Sequence, residues 1–153
     1  MSESGGRSLT PEIVEAAIAD SEFLRDLEED SRTALLERAT EIEIEEGETL
    51  TTEGEAGDAF FILQKGKIRV TVLKDDEPTE MAVLGPGAVL GEISMLTDRP
   101  RTATCQVVDG VAAVIRVGRD DLDAVLADRP EVEARLNAIA FERARATMRR
   151  LYS

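Results

Sequence analysis

The chain of 153 residues carries 18 basic and 32 acidic side chains, and its formal net charge of −14 sets its field against DNA, RNA and anionic membranes. Histidine is absent and Cys105 is the single cysteine, which excludes serine–histidine catalysis, histidine-bound zinc and an internal disulfide. With 42% hydrophobic and 33% charged residues and no apolar run of membrane-spanning length, the composition predicts one globular domain in the cytoplasm.

Residues 1–9 are polar and glycine-containing, with nothing to pack, and are expected to form a disordered lead-in. Thr10-Pro11-Glu12 is a helix opening, a capping hydroxyl followed by proline and an acid, and Ile13, Val14, Ala17 and Ile18 give that helix an apolar stripe. Phe23, Leu24 and Leu27 continue as a short helical piece. Asp30 or Ser31 caps another helix, whose Leu35, Leu36 and Ala39 face inward. A helical flank is therefore expected over residues 10–39.

From Thr40 the period changes to two: Ile42 and Ile44 alternate with Glu41, Glu43 and Glu45, which predicts a half-buried strand ending at Gly47. Leu50 belongs to a second short strand, and the turn from Glu53 to Asp58 precedes the continuously apolar Ala59 to Leu63. Gly66 is expected to reverse the chain before the alternating Ile68, Val70 and Val72. Met81, Val83 and Leu84 follow a loop, and Asp109-Gly110 reads as a hairpin between Thr102–Val108 and Val111–Val117. Short strands at roughly ten-residue spacing point to an antiparallel barrel or jelly roll over residues 40–117. Helices through Leu122, Val125 and Leu126, and from Pro130 almost to Tyr152, are expected to complete the chain over residues 118–152. Arg143, Arg145, Arg149 and Arg150 near the end of the last helix complement its dipole.

The stretch Gly85 to Thr104 carries the chemistry. Gly91 permits close backbone approach, Glu92 to Leu96 can form one or two helical turns, and the N–H groups opening them suit an anion. Pro100 stops that turn, so that Arg101 leaves in extended conformation and brings its planar fork of donors back to the same anion. Glu92, an acceptor when ionised, suits sugar hydroxyls, so the stretch reads as a receptor for ribose phosphate.

This pattern resembles the phosphate-binding cassette of the cyclic nucleotide-binding domain family. The resemblance continues through Gly47-Glu48, Gly54 to Asp58, Phe61-Ile62-Leu63 and Gly66, covering roughly residues 20 to 150. Periodicity and resemblance together predict a mainly β domain with flanking helices: an eight-stranded antiparallel jelly-roll barrel within a domain of residues 10–153. The resemblance implies that Glu92 binds the ribose 2'-hydroxyl, Arg101 the cyclic phosphate, and the backbone of Gly91, Glu92, Ile93 and Ser94 completes the cradle. Thr102 adds a hydroxyl at a position that is threonine in cGMP-dependent kinases and alanine in cAMP-dependent kinases, which implies a modest advantage for cGMP. Val83, Leu90 and Ala103 are further candidates around the base, with Arg145, beside Phe141 and Tyr152, as a lid from the last helix.

The function so implied is a non-enzymatic sensor of cAMP or cGMP, without cofactor, metal or catalytic residues, that moves its C-terminal helix. Output is expected through a separate effector protein or self-association of that helix, with neither DNA nor membrane as partner. The alternative is a ligand-free domain that keeps the fold as an acidic scaffold for protein interaction.

Overall fold

The computed structural model describes residues 6–97 and 99–152, and the part of the expected lead-in at residues 1–5 lies outside them. The remainder of that lead-in is not unstructured: Arg7–Ser8 form a short strand, β1, paired with Glu41 and Thr40, and Arg7 reaches the Glu41 carboxylate at 3.0 Å. Its two residues add a sheet edge to a segment that looked merely polar.

Three helices precede the main sheet, and side-chain caps open the first two. Thr10 accepts from the Ile13 N–H and opens α1, Pro11–Asp20; Ser21, buried, accepts from the Leu24 N–H and opens α2, Glu22–Asp26. Helix α3, Glu29–Glu37, follows. The strands are β2 (Thr40–Ile44), β3 (Thr49–Thr51), β4 (Ala59–Lys74), β5 (Glu77–Leu84), β6 (Val89–Leu90) and β7 (Thr104–Gly118). Short helix α4, Glu92–Thr97, interrupts them, and α5, Arg119–Asp128, and α6, Pro130–Tyr152, close the order.

Among the described residues there are thus seven strands in one antiparallel sheet, in the order β1-β2-β7-β4-β5, with β3 also on β7 and β6 also on β4. The mainly β reading with flanking helices holds. The count of eight does not, and the path of paired strands is open, with β1 and β5 at its ends, where a closed barrel was expected. Two turn signals account for the difference. Gly66 has φ +96°, yet β4 runs on through it, because its missing side chain serves close contact: a Cβ there would lie 2.8 Å from Ala112 Cα. Asp109 and Gly110 also take positive φ without ending β7. At these points the register jumps from Lys65–Ala113 to Lys67–Val108, so both long strands bend instead of stopping.

The bend hands the strands to different neighbours. The first half of β4 pairs with the second half of β7 and with β6, while Lys67–Thr71 pair with Val108–Thr104 and Ile68–Lys74 pair with β5. Ala59 to Leu63, apolar without a break, is buried on both faces. Phe60 and Ile62 point to a core shared with the helices, where the Phe23 ring meets Phe60 edge-on at 6.3 Å. Ala59, Phe61 and Leu63 point to a second core with Ile44, Ile68, Leu90, Cys105 and Val114. Cys105 is buried there as a small hydrophobe, and burial pushes its thiol pKa up.

Candidate functional site

Strand β6 delivers the chain to Gly91 by pairing Leu90 with Phe61, and Gly91 turns it into α4 at φ +81°. A side chain at Gly91 would be strained by that conformation and would place its Cβ 2.5 Å from Arg101 Nη1. Arg101 approaches from the opposite side. Its backbone N–H donates to Glu55 O at 2.7 Å and its carbonyl accepts from Gly54 N, which clips it to the turn before β4.

The side chain of Arg101 then runs inward, with its guanidinium 5.9 Å from the Phe61 ring centre. Nη1 donates to Gly91 O at 3.0 Å and Nη2 to Ala59 O at 2.8 Å. Only 7% of the residue is exposed, and burial lowers its pKa, opposed chiefly by Asp58. This is a cation held on neutral carbonyls.

Glu92 opens α4 and is 1% exposed. Both of its oxygens accept from a single nitrogen, Arg143 Nη1 of α6, at 2.8 and 2.9 Å. Burial pushes the Glu92 carboxyl above its ordinary range, against the opposing pull of Arg143 and, more weakly, Arg101. Ser94 is also buried, and its Oγ has no hydrogen-bond partner among the described residues. Arg119, at the start of α5, donates to both Gly57 O and Ser94 O at 3.1 Å and so ties α4 to the turn before β4.

These side chains surround a slot of about 40 Å³, lined by Gly91 to Ser94, Arg101, Thr102, Ala103 and Arg143 among others. Beside it lies a cavity of about 860 Å³ between α6 and the β4–β5 pair, with Val72, Met81, Leu84 and Ile139 in its walls. Val70, Ile93, Thr102, Ala103 and Arg143 border both spaces. The structure therefore brings Gly91, Glu92, Ile93, Ser94, Leu90, Arg101, Thr102 and Ala103 together at one place.

Two further candidates are not brought there. Val83 is 48% exposed and lines neither space, because Ala82 and Leu84 on either side of it take the cavity face of β5. Arg145 leans on the exposed Phe141 ring and pairs with Glu142; Glu142 lines the larger cavity but Arg145 lines neither space, and Tyr152 is likewise exposed beside Lys74.

The α6 residue at the site is Arg143, which sequence reading treated only as a partner of the helix dipole. A signal for it exists: Arg143 follows Ile139 by one turn and Leu136 by two, so it stands on the apolar stripe. A charge on a buried stripe requires a buried counter-charge, and Glu92 is that group. Arg119 had no comparable signal. No group of three or more histidine, cysteine, aspartate or glutamate side chains that could hold a metal occurs among the described residues.

The family model described as the cyclic nucleotide-binding domain matches residues 41–129. A CRP-like cAMP-activated global transcriptional regulator of Mycobacterium tuberculosis is 29% identical over 131 residues, which are 85% of this chain and 58% of that protein. A cGMP-dependent protein kinase of Drosophila melanogaster, isozyme 2 forms cD5/T2, is 31% identical over 117 residues, 74% of this chain and 12% of the kinase. The solved regulatory domain of Toxoplasma gondii PKA with cAMP superposes with a TM-score of 0.67 at 31% identity, covering 74% of this chain and 43% of that one. The chain thus spans little more than half of one of these curated relatives and about an eighth of the other.

Proposed function

This chain belongs to the cyclic nucleotide-binding domain family, and from that premise we propose that it is a non-catalytic sensor module for a 3',5'-cyclic mononucleotide, with α6 as its output element. One observation carries the proposal: a buried cation, Arg101, and a buried carboxylate, Glu92, stand on the walls of one slot that adjoins a cavity large enough for a nucleotide. Burying two charges is costly, and most of the buried side chains around them are apolar.

In this proposal the base and most of the ribose enter the larger cavity, and the phosphate edge faces the slot. Arg101 exchanges a carbonyl partner for the phosphate, a stronger charge-assisted bond. The backbone of Gly91, Glu92, Ile93 and Ser94 lines the phosphate, the unpartnered Ser94 Oγ supplies another donor, and Thr102 stands where a hydroxyl reaches either phosphate or base. Glu92 accepts from the ribose 2'-hydroxyl. Relatives named for cAMP and for cGMP both resemble this chain, so the ligand is assigned only as a cyclic mononucleotide. The site of action is taken as the cytoplasm, and the signal passes to a separate effector or a second copy through α6. No helix among the described residues is long and apolar enough to cross a membrane.

A second reading has its own support. Arg101 and Glu92 are each satisfied within the protein, and the slot between them, at about 40 Å³, holds little more than a water molecule. A domain that had lost its ligand and served as an acidic scaffold would look like this. Titration calorimetry with cAMP and cGMP separates the two, together with mass spectrometry of any small molecule released on denaturation. Saturable heat with either nucleotide supports the sensor; no heat at millimolar ligand and no released nucleotide leaves the scaffold.

A further inference from the structure

Of the six large apolar side chains exposed among the described residues, three stand on α6: Phe141 at 64%, Met148 at 58% and Tyr152 at 70%. Their spacing of seven and four residues stacks them along one helix face about 17 Å long. That face is not the one the cavity uses: neither Phe141 nor Tyr152 lines the cavity, and of the three only Met148 reaches its wall. Aromatic and methionine side chains exposed in a row mark a contact surface, where single scattered ones would carry no meaning.

The charge beside this stripe is opposite in sign to that of the molecule as a whole. Residues 141–152 hold four arginines and one glutamate, in a chain of net charge −14. Arg143 turns inward to Glu92, and Arg150 donates to the Glu80 carbonyl. Arg145 stays on the stripe, against the Phe141 ring, and Lys74 brings another cation over the Tyr152 ring at 5.4 Å. The Arg145–Glu142 pair, at 3.4 Å and more than half exposed on both sides, is weak enough for another carboxylate to replace. A second copy is a poor occupant, because α6 against α6 sets arginines against arginines and each molecule brings the same −14.

We propose that this outer face of α6 is a docking surface for an acidic amphipathic helix of a partner protein. Apolar residues of that helix, at helical spacing, pack on Phe141, Met148 and Tyr152, and its flanking carboxylates meet Arg145 and Lys74. The surface lies outside the slot, and the proposal holds whatever occupies the cavity.

The test is fluorescence anisotropy of the full chain with a labelled synthetic peptide that carries leucines at helical spacing and glutamates at most other positions. Controls are a scrambled peptide of the same composition and a peptide with lysine for each glutamate. Phe141→Ser and Arg145→Glu alter exposed side chains, and their thermal melts are expected to match wild type. The acidic peptide is expected to bind at least about tenfold more tightly than the scrambled one, each substitution to weaken it by about tenfold, and added salt to weaken it further. No nucleotide is present, so the result is independent of the ligand assignment. Equal binding of the acidic and scrambled peptides, or an affinity unchanged by either substitution or by salt, overturns the proposal. Tighter binding of the lysine peptide that Phe141→Ser abolishes overturns it in favour of a basic partner. A wild-type dimer in sedimentation equilibrium that Phe141→Ser returns to monomer overturns it in favour of a second copy.

Discussion

Arg101 makes the site legible at the scale of a residue. Its place after Pro100 marks it as a donor to an anion, and the structure buries it against Gly91 O and Ala59 O beside α4. Removing one partner of a buried charge pair costs about 2 to 5 kcal/mol, so Arg101→Ala is expected to weaken cyclic nucleotide binding by roughly thirtyfold to several thousandfold. Titration of a variant that melts like wild type yet binds within a few-fold of it would remove Arg101 from the site. Thr102 sets a finer expectation. A neutral hydrogen bond from the guanine 2-amino group contributes about 0.5 to 1.5 kcal/mol, so cGMP gains at most about tenfold over cAMP. Thr102→Ala should then reduce cGMP binding more than cAMP binding; equal reductions would assign the hydroxyl to the phosphate. That Gly91, Glu92 and Arg101 lie close together follows from local chemistry and could be read in the chain; they line one slot. Arg143 could not be placed, because its partner is 51 residues distant and helix periodicity names a face without saying what it meets.

Elements show the same division between local and distant determinants. Thr10 caps α1 where capping chemistry predicts, whereas Glu28, not Asp30 or Ser31, precedes α3 and makes no side-chain capping bond; the apolar run from Ala59 to Leu63 is buried on both faces. Gly66 and Asp109-Gly110 misled because positive φ is common to hairpin turns and to bulges. Which of the two forms depends on whether neighbouring strands continue past the point, and β2, β3, β5 and β6 come from elsewhere in the chain. Similarly, only the fold determines which apolar residues of α6 face inward: Leu136 and Val132 are buried while Phe141 and Met148 are exposed. Leu136, 0% exposed, fixes the near end of α6 against the helical core. Leu136→Ala is expected to cost about 2 to 5 kcal/mol, a melting-temperature drop of roughly 4 to 20 °C for a chain of this size. Met148→Ala, at a position 58% exposed, should change stability by no more than about 0.5 kcal/mol. Similar melting temperatures for the two variants would mean that α6 is not docked through Leu136.

At the scale of the whole molecule, the proposed ligand is an anion that must enter a protein whose formal charge is −14. Two fields of opposite sign act on it. The repulsive one is the sum of many carboxylates spread over the surface, and it extends about 30 Å at 0.01 M salt but only about 8 Å at 0.15 M. The attractive one comes from Arg101, 7% exposed, at short range within a wall of low dielectric where salt screens poorly. Added salt therefore weakens the repulsion more than the attraction. The association rate of a cyclic nucleotide is expected to rise severalfold between low and physiological salt, with the dissociation rate nearly constant, the reverse of steering by a basic surface. Stopped-flow measurement with a fluorescent cyclic nucleotide reads this directly. A rate that falls as salt is added would show that exposed arginines, such as those along α6, guide the ligand in, and the distributed acidic surface would then have no part in the encounter.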